Sequence, residues 1–110
     1  MNAIARVWTG RTAAGLADQF LDYMKRTGVR DLSLVPGNLG VLVLRRADGD
    51  AVEFTLISFW ESEEAIARFA GEDIRKAVYY SEDSRFLERL EPEVVHWQVS
   101  VSEKLPLGRE

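Results

Sequence analysis

FWESEEAIARFAGED, residues Phe59 to Asp73, joins a strand ending on a large aromatic directly to a capped amphipathic helix. Val52, Phe54, Thr55, Leu56, Ile57 and Phe59 form a run rich in β-formers, and Trp60 closes it. Ser62 stands where a helix N-cap belongs, and Glu63 and Glu64 put negative charge against the positive end of the helix that follows. Ala65, Ile66, Phe69 and Ala70 make one apolar stripe on that helix, and Gly71 ends it.

Upstream, Gly40 to Arg46 and Ala51 to Trp60 are two β-rich runs separated by Ala47-Asp48-Gly49-Asp50, whose Asp-Gly pair predicts a hairpin turn. Pro36-Gly37-Asn38 is strong turn punctuation before Gly40, and it lacks the extended glycine pattern of a phosphate loop. Residues 3 to 9 read as a first strand, with Gly10 to Thr12 as a turn. From Ala13 to about Thr27, Leu16, Ala17, Phe20, Leu21 and Met24 recur at amphipathic-helix spacing, and Gly28 falls where a left-handed C-terminal cap would. Val29 to Val35 reads as a connection with some strand character. Beyond Gly71, the residues from Glu72 to Tyr80 read as resumed helix with Glu72 and Asp73 as first-turn acids, and Asp83 to Leu90 as a short helical piece that Pro92 stops. Val94 to Val101 is the last strand. Residues 1–103 thus read as one domain and 104–110 as a tail, frayed or draped on a partner.

The order β, α, β, β, α, β predicts an α+β, ferredoxin-like antiparallel sheet with its helices on one face. A sheet with one wet face alternates apolar and polar residues, yet Val41 to Leu44 are unbroken and Leu56, Ile57, Phe59 and Trp60 nearly so. Both faces therefore call for burial, and one helix layer covers one of them. The other is expected to pack on the sheet of a two-fold-related copy, making a homodimer.

Composition narrows the function. At 110 residues the chain buries roughly two-thirds of its unfolded surface, enough for one core. It has no cysteine, which removes disulfides, thiolate nucleophiles and cysteine metal sites and is compatible with the reducing cytoplasm. A net charge of −4 with no block of like sign argues against a nucleic-acid surface. No apolar run approaches the ~20 residues that span a bilayer, and the N-terminus lacks the apolar core of a signal peptide, so a soluble, intracellular protein without membrane or nucleic-acid partners is expected.

The Pro-Gly-x-x-Gly turn at Pro36 to Gly40, the Trp-x-Ser-x-Glu-Ala junction at Trp60 to Ala65 and the closing EVVHWQV at Glu93 to Val99 together resemble the antibiotic biosynthesis monooxygenase family, in the dimeric α+β barrel superfamily, over nearly the whole chain. Phe69 to Asp73 and the Tyr79-Tyr80 pair resemble an uncharacterised bacterial branch of it. The resemblance implies a homodimer in which two four-stranded sheets share a barrel. It implies a range of reactions as well: some members oxidise polyketide anthrones with dioxygen and no metal or flavin, and others degrade haem. The haem-degrading members use a first-strand Asn, a helix Trp and a His ten residues beyond that Trp. Here the two latter positions hold Phe69 and Tyr79, and the first strand has no Asn, so haem breakdown is not expected.

His96 is the only histidine and hence the natural candidate base for a phenolic or enolic proton, although a lone strand histidine is also an ordinary packed residue. It cannot form a metal site alone, and no carboxylate stands at metal-ligand spacing, so no metal and no cofactor are expected. Trp8, Trp60 and Trp97, with Tyr23, Phe69, Tyr79 and Tyr80, supply flat walls for a small aromatic ligand, with Tyr79 a second catalytic candidate and at most one of Tyr79 and Tyr80 pointing inward, because adjacent helical residues diverge by about 100°. Arg6 and Arg45 interrupt apolar strands; burial there requires a carboxylate or an anionic ligand, and strand-end snorkelling or a cross-dimer ion pair is the other reading. The function expected is a cofactor-independent monooxygenase on an aromatic or polyketide-like substrate. The alternative is a non-catalytic binding or structural module of the same fold.

Overall fold

The computed structural model describes residues 2–105 and 107; of the expected tail, residues 106 and 108–110 lie outside the described residues. The chain runs through β1 (Ile4–Ala13), a 3-10 turn at Ala14–Leu16, α1 (Ala17–Arg26), α2 (Gly28–Leu34), β2 (Asn38–Asp48), β3 (Ala51–Trp60), α3 (Glu63–Ala70), α4 (Asp83–Phe86) and β4 (Val95–Gln98). The strands form one antiparallel sheet in the order β2-β3-β1-β4, the interleaved arrangement of a ferredoxin-like α+β fold.

The junction at Trp60 is built as its residues dictate. The Ser62 hydroxyl accepts from the Ala65 amide at 3.1 Å, capping α3, and Gly71 leaves the helix with φ +88°, a conformation that suits a residue without Cβ. Gly37 also has positive φ, +96°, and a Cβ there would stand 2.4 Å from that of Ala65. The turn before β2 and the first turn of α3 therefore touch through a glycine.

Pairing decides which residues share a face. Arg6 lies opposite Ser58 and His96, Trp8 opposite Leu56, and Val43 opposite Leu56, so Ile4, Arg6, Trp8, Val41, Val43, Phe54, Leu56, Ser58, Trp60 and His96 all stand on the helix side. Two apolar clusters fill that side. One joins Phe20, Tyr23 and Met24 of α1 to Phe54, Phe86 and Leu87; the other joins Leu32 of α2 to Trp60, Ala65 and Ile66. The opposite face presents Val7, Leu42, Leu44, Ile57, Phe59, Val95 and Trp97, with no helix of the described residues over them, and Leu44, Val95 and Trp97 are exposed.

Several expected boundaries move, each for a hydrogen-bonding or packing reason. β1 does not turn at Gly10; it continues to Ala13, because β3 offers a partner for each of its residues. Gly10 is needed for space, since a Cβ there would lie 2.5 Å from the Trp8 ring. Gly28 does not take a left-handed cap. The break falls at Thr27, whose hydroxyl donates to the Tyr23 carbonyl at 2.8 Å, and residues 28–34 resume as α2 with Leu32 buried. Residues 72–80 are not helical: the Ala77 amide donates to the Pro92 carbonyl and the Val94 amide to the Arg75 carbonyl, so this backbone pairs with the approach to β4 instead of with itself. The helix expected to Leu90 ends at Phe86, and β4 spans four residues. No described helix is long and apolar enough to cross a membrane.

Candidate functional site

Between the two apolar clusters lies a cavity with an open mouth. Its sheet wall is Arg6, Trp8, Leu56 and Ser58; α1 and α2 contribute Phe20, Met24 and Leu32; Phe69, the irregular segment with Val78, Tyr79 and Tyr80, and Asp83 and Val94 complete it. Strand alternation explains the sheet wall, because residues two apart along β1 and β3 share a face.

The expected site residues divide between wall and core. Arg6, Trp8, Phe69 and Tyr79 line the cavity. Trp60 is fully buried in the second cluster, its indole N–H donating to the Ser58 hydroxyl at 2.8 Å, and it does not line the cavity. Tyr23 packs against Phe86, and its hydroxyl accepts from the Glu82 amide at 3.2 Å. His96 stands behind the wall, its Nε2 3.2 Å from the Arg6 guanidinium. Burial, and then the Arg6 charge, lower its pKa below the ordinary 6.5 and favour the neutral ring. A neutral His96 accepts the Arg6 proton at Nε2 and carries its own at Nδ1.

Tyr79 and Tyr80 both line the cavity, which overturns the expectation that only one points inward. That expectation assumed a helix; in an irregular segment the helical rotation between neighbours does not apply. The Tyr79 hydroxyl is held on two sides, donating to the Glu91 carbonyl at 2.6 Å and accepting the Trp8 indole N–H at 3.0 Å. Burial raises its pKa, so it offers a ligand a neutral ring edge. The Tyr80 hydroxyl donates to Asp31 at 2.7 Å, and burial followed by that carboxylate pushes its pKa up.

Asp83 is a charged wall residue that the sequence did not single out. It is 7% exposed, its carboxylate accepts from the Tyr80 amide at 2.6 Å, and burial raises its pKa above the ordinary 3.8. In sequence it only opens the short helical piece that carries Phe86 and Leu87, and the approach of residues 78–80 puts it beside the cavity. Arg45, by contrast, reaches the surface and meets Asp18 at 3.0 Å, a carboxylate partner within the same chain.

The donors of this wall do not suit haem. Both hydrogen-bonding capacities of the Tyr79 hydroxyl are used within the protein, Tyr80 is tied to Asp31, and the His96 Nε2 faces Arg6. No lining histidine or phenolate is left to ligate iron.

The antibiotic biosynthesis monooxygenase family profile matches residues 4–79. No curated protein matches the chain. Among solved structures, a protein of unknown function from Nitrosomonas europaea superposes with a TM-score of 0.67 at 16% identity, covering 98% of each chain. A Bacillus cereus protein provisionally named an antibiotic biosynthesis monooxygenase gives 0.64 at 14% identity, covering 94% of this chain and 98% of that one. A heme-degrader from Mycobacterium tuberculosis, with two hemes bound in its active site, gives 0.60 at 16% identity over 91% of this chain and 98% of its own. At these identities the superpositions speak for the fold alone.

Proposed function

The chain belongs to the antibiotic biosynthesis monooxygenase family, and from that premise we propose that it binds a small aromatic or polyketide-like molecule in the helix-side cavity and oxidises it with dioxygen, without metal or flavin. The observation that carries this reading is a buried carboxylate with a raised pKa, Asp83, in the wall of a cavity otherwise made of Trp8, Leu56, Phe69 and Tyr79. The methylene of an anthrone, set between two aryl rings that conjugate it to the carbonyl opposite, loses a proton to a base. The carbanion passes one electron to dioxygen, the radical pair combines to a hydroperoxide, and loss of water leaves a carbonyl. The methylene and one dioxygen are thereby converted to a carbonyl and one water.

In this proposal the proton acceptor is Asp83 rather than His96, because Asp83 lines the cavity while His96 stands behind its wall, and burial raises the Asp83 pKa above the ordinary 3.8. His96 acts as a positioning residue through Arg6, and Trp8, Phe69 and Tyr79 hold the ring. Oxygen uptake with an anthrone tests the assignment: Asp83→Asn should lower kcat by about 100-fold or more, the usual scale for a lost general base, and His96→Gln by much less. The reverse order would return the base to His96.

A second reading, binding without turnover, is favoured by the hydroxyl of Tyr79 and the Nε2 of His96 being engaged within the protein. Tight anthrone binding with no oxygen uptake would establish it. For either reading we infer that a second copy covers the open sheet face, where Val7, Leu42, Ile57, Phe59 and Trp97 form an apolar surface with no helix over it.

A further inference from the structure

Among the described residues Arg6 is the buried cation, 5% exposed on the cavity wall. Its guanidinium donates to the carbonyls of Ile74 and Lys76, the latter at 2.9 Å, and faces the His96 Nε2 at 3.2 Å. All three partners are neutral. Burial lowers its pKa to about 10, which still leaves it charged near neutrality. Eight other arginines, Arg11, Arg26, Arg30, Arg45, Arg46, Arg75, Arg85 and Arg89, each sit beside a carboxylate near the surface, where such a pair contributes little. Among the described residues, Arg6 has no such partner. Asp83, the acid of the same wall, is held by the Tyr80 amide and forms no ion pair with it.

A charge taken out of water without a counter-ion is costly, and the arrangement is one that an anion entering the cavity would relieve. A guanidinium has five N–H donors in a planar fork, and the contacts above use three. Two remain for a planar acceptor. The apolar surfaces of Trp8, Leu56 and Phe69 line the same cavity and suit a flat ring.

We propose that the ligand of this cavity is an aromatic carboxylic acid whose carboxylate is bound by Arg6. The proposal rests on the reading of the cavity as an aromatic-binding site and names the chemical class of what it holds. His96 then has a positioning role: as a neutral acceptor it fixes the guanidinium without neutralising it.

Matched probes of near-equal shape, 1-naphthoic acid and 1-naphthamide, test this by calorimetry and by thermal shift of the wild-type protein at pH 7.5. The acid should bind about tenfold or more tighter than the amide, the scale of a charge-assisted hydrogen bond, and raise Tm further. Arg6→Met should remove the preference while leaving amide binding in place, and Arg6→Lys should retain part of it. Equal binding of the two probes by the wild type would overturn the carboxylate assignment and leave the aromatic cavity standing. Binding of neither would overturn the cavity reading, and this proposal with it. Because the deciding comparison uses the wild-type protein, it stands even if a variant fails to fold.

Discussion

The two faces of one sheet use similar residues to different ends. On the helix side, Phe54 and Trp60 are fully enclosed by α1, α3 and the segment from 72 to 90, with the cavity left between the two clusters. On the other side, Ile57 and Phe59 of the same strand have no helix of the described residues above them, and Trp97 is 63% exposed. The difference teaches that apolar character alone does not make a core; a covering layer does, and this chain supplies one layer for two apolar faces.

Truncation breaks this comparison most directly. Phe54→Ala should destabilise the folded chain by about 3–5 kcal/mol, as a closely packed aromatic leaves a cavity that its surroundings only partly fill. Trp97→Ser on the open face should change the stability of a diluted, monomeric sample by only about 0.5 kcal/mol, while weakening self-association measured by sedimentation. A wild-type protein that stays monomeric at every concentration would remove the second copy from the account. If Trp97→Ser cost as much as Phe54→Ala in the monomer, the two faces would not differ as described.

The close fit of the helix side extends to backbone. Gly37→Ala should cost about 1–3 kcal/mol in chemical denaturation, because the new methyl meets Ala65 and the left-handed backbone disfavours any Cβ. A loss below that of an ordinary surface change would mean that the turn before β2 gives way freely.

The smallest expected effect is one of pH. His96 has its pKa lowered in the folded chain, so below 6.5 the unfolded chain binds more protons than the folded one. Stability therefore rises with pH across this window and is lost as pH falls through the lowered native value. His96→Gln, which keeps an acceptor for Arg6, should flatten that acid-side slope in urea unfolding followed between pH 7 and pH 5. An unchanged slope would show that His96 does not sense its buried setting.

Much of the fold was legible because it rests on short-range chemistry. Ser62 caps a helix wherever it precedes such a stripe, Asp48-Gly49 turns a hairpin, and Phe20 and Met24 share a face through helical spacing alone. Boundaries failed where long-range pairing won. Gly10 to Thr12 look like a turn until β3 is laid beside them, and residues 72–80 look helical until their amides find the carbonyls of another segment. The site was half legible for the same reason. Arg6 and Trp8 follow from strand alternation, but Asp83 enters the wall only through a fold-back that no local pattern encodes.

By itself, then, the amino-acid sequence determined the βαββαβ frame, the ferredoxin-like topology and the apolar character of both sheet faces, since these depend on periodicity and capping within a few residues. Tertiary structure decided which aromatics became core and which became wall, sent Trp60 to the first and Phe69 to the second, and left Arg6 buried with no carboxylate partner among the described residues. Those outcomes turn on which distant segments meet, because burial and charge pairing belong to contacts rather than to residues.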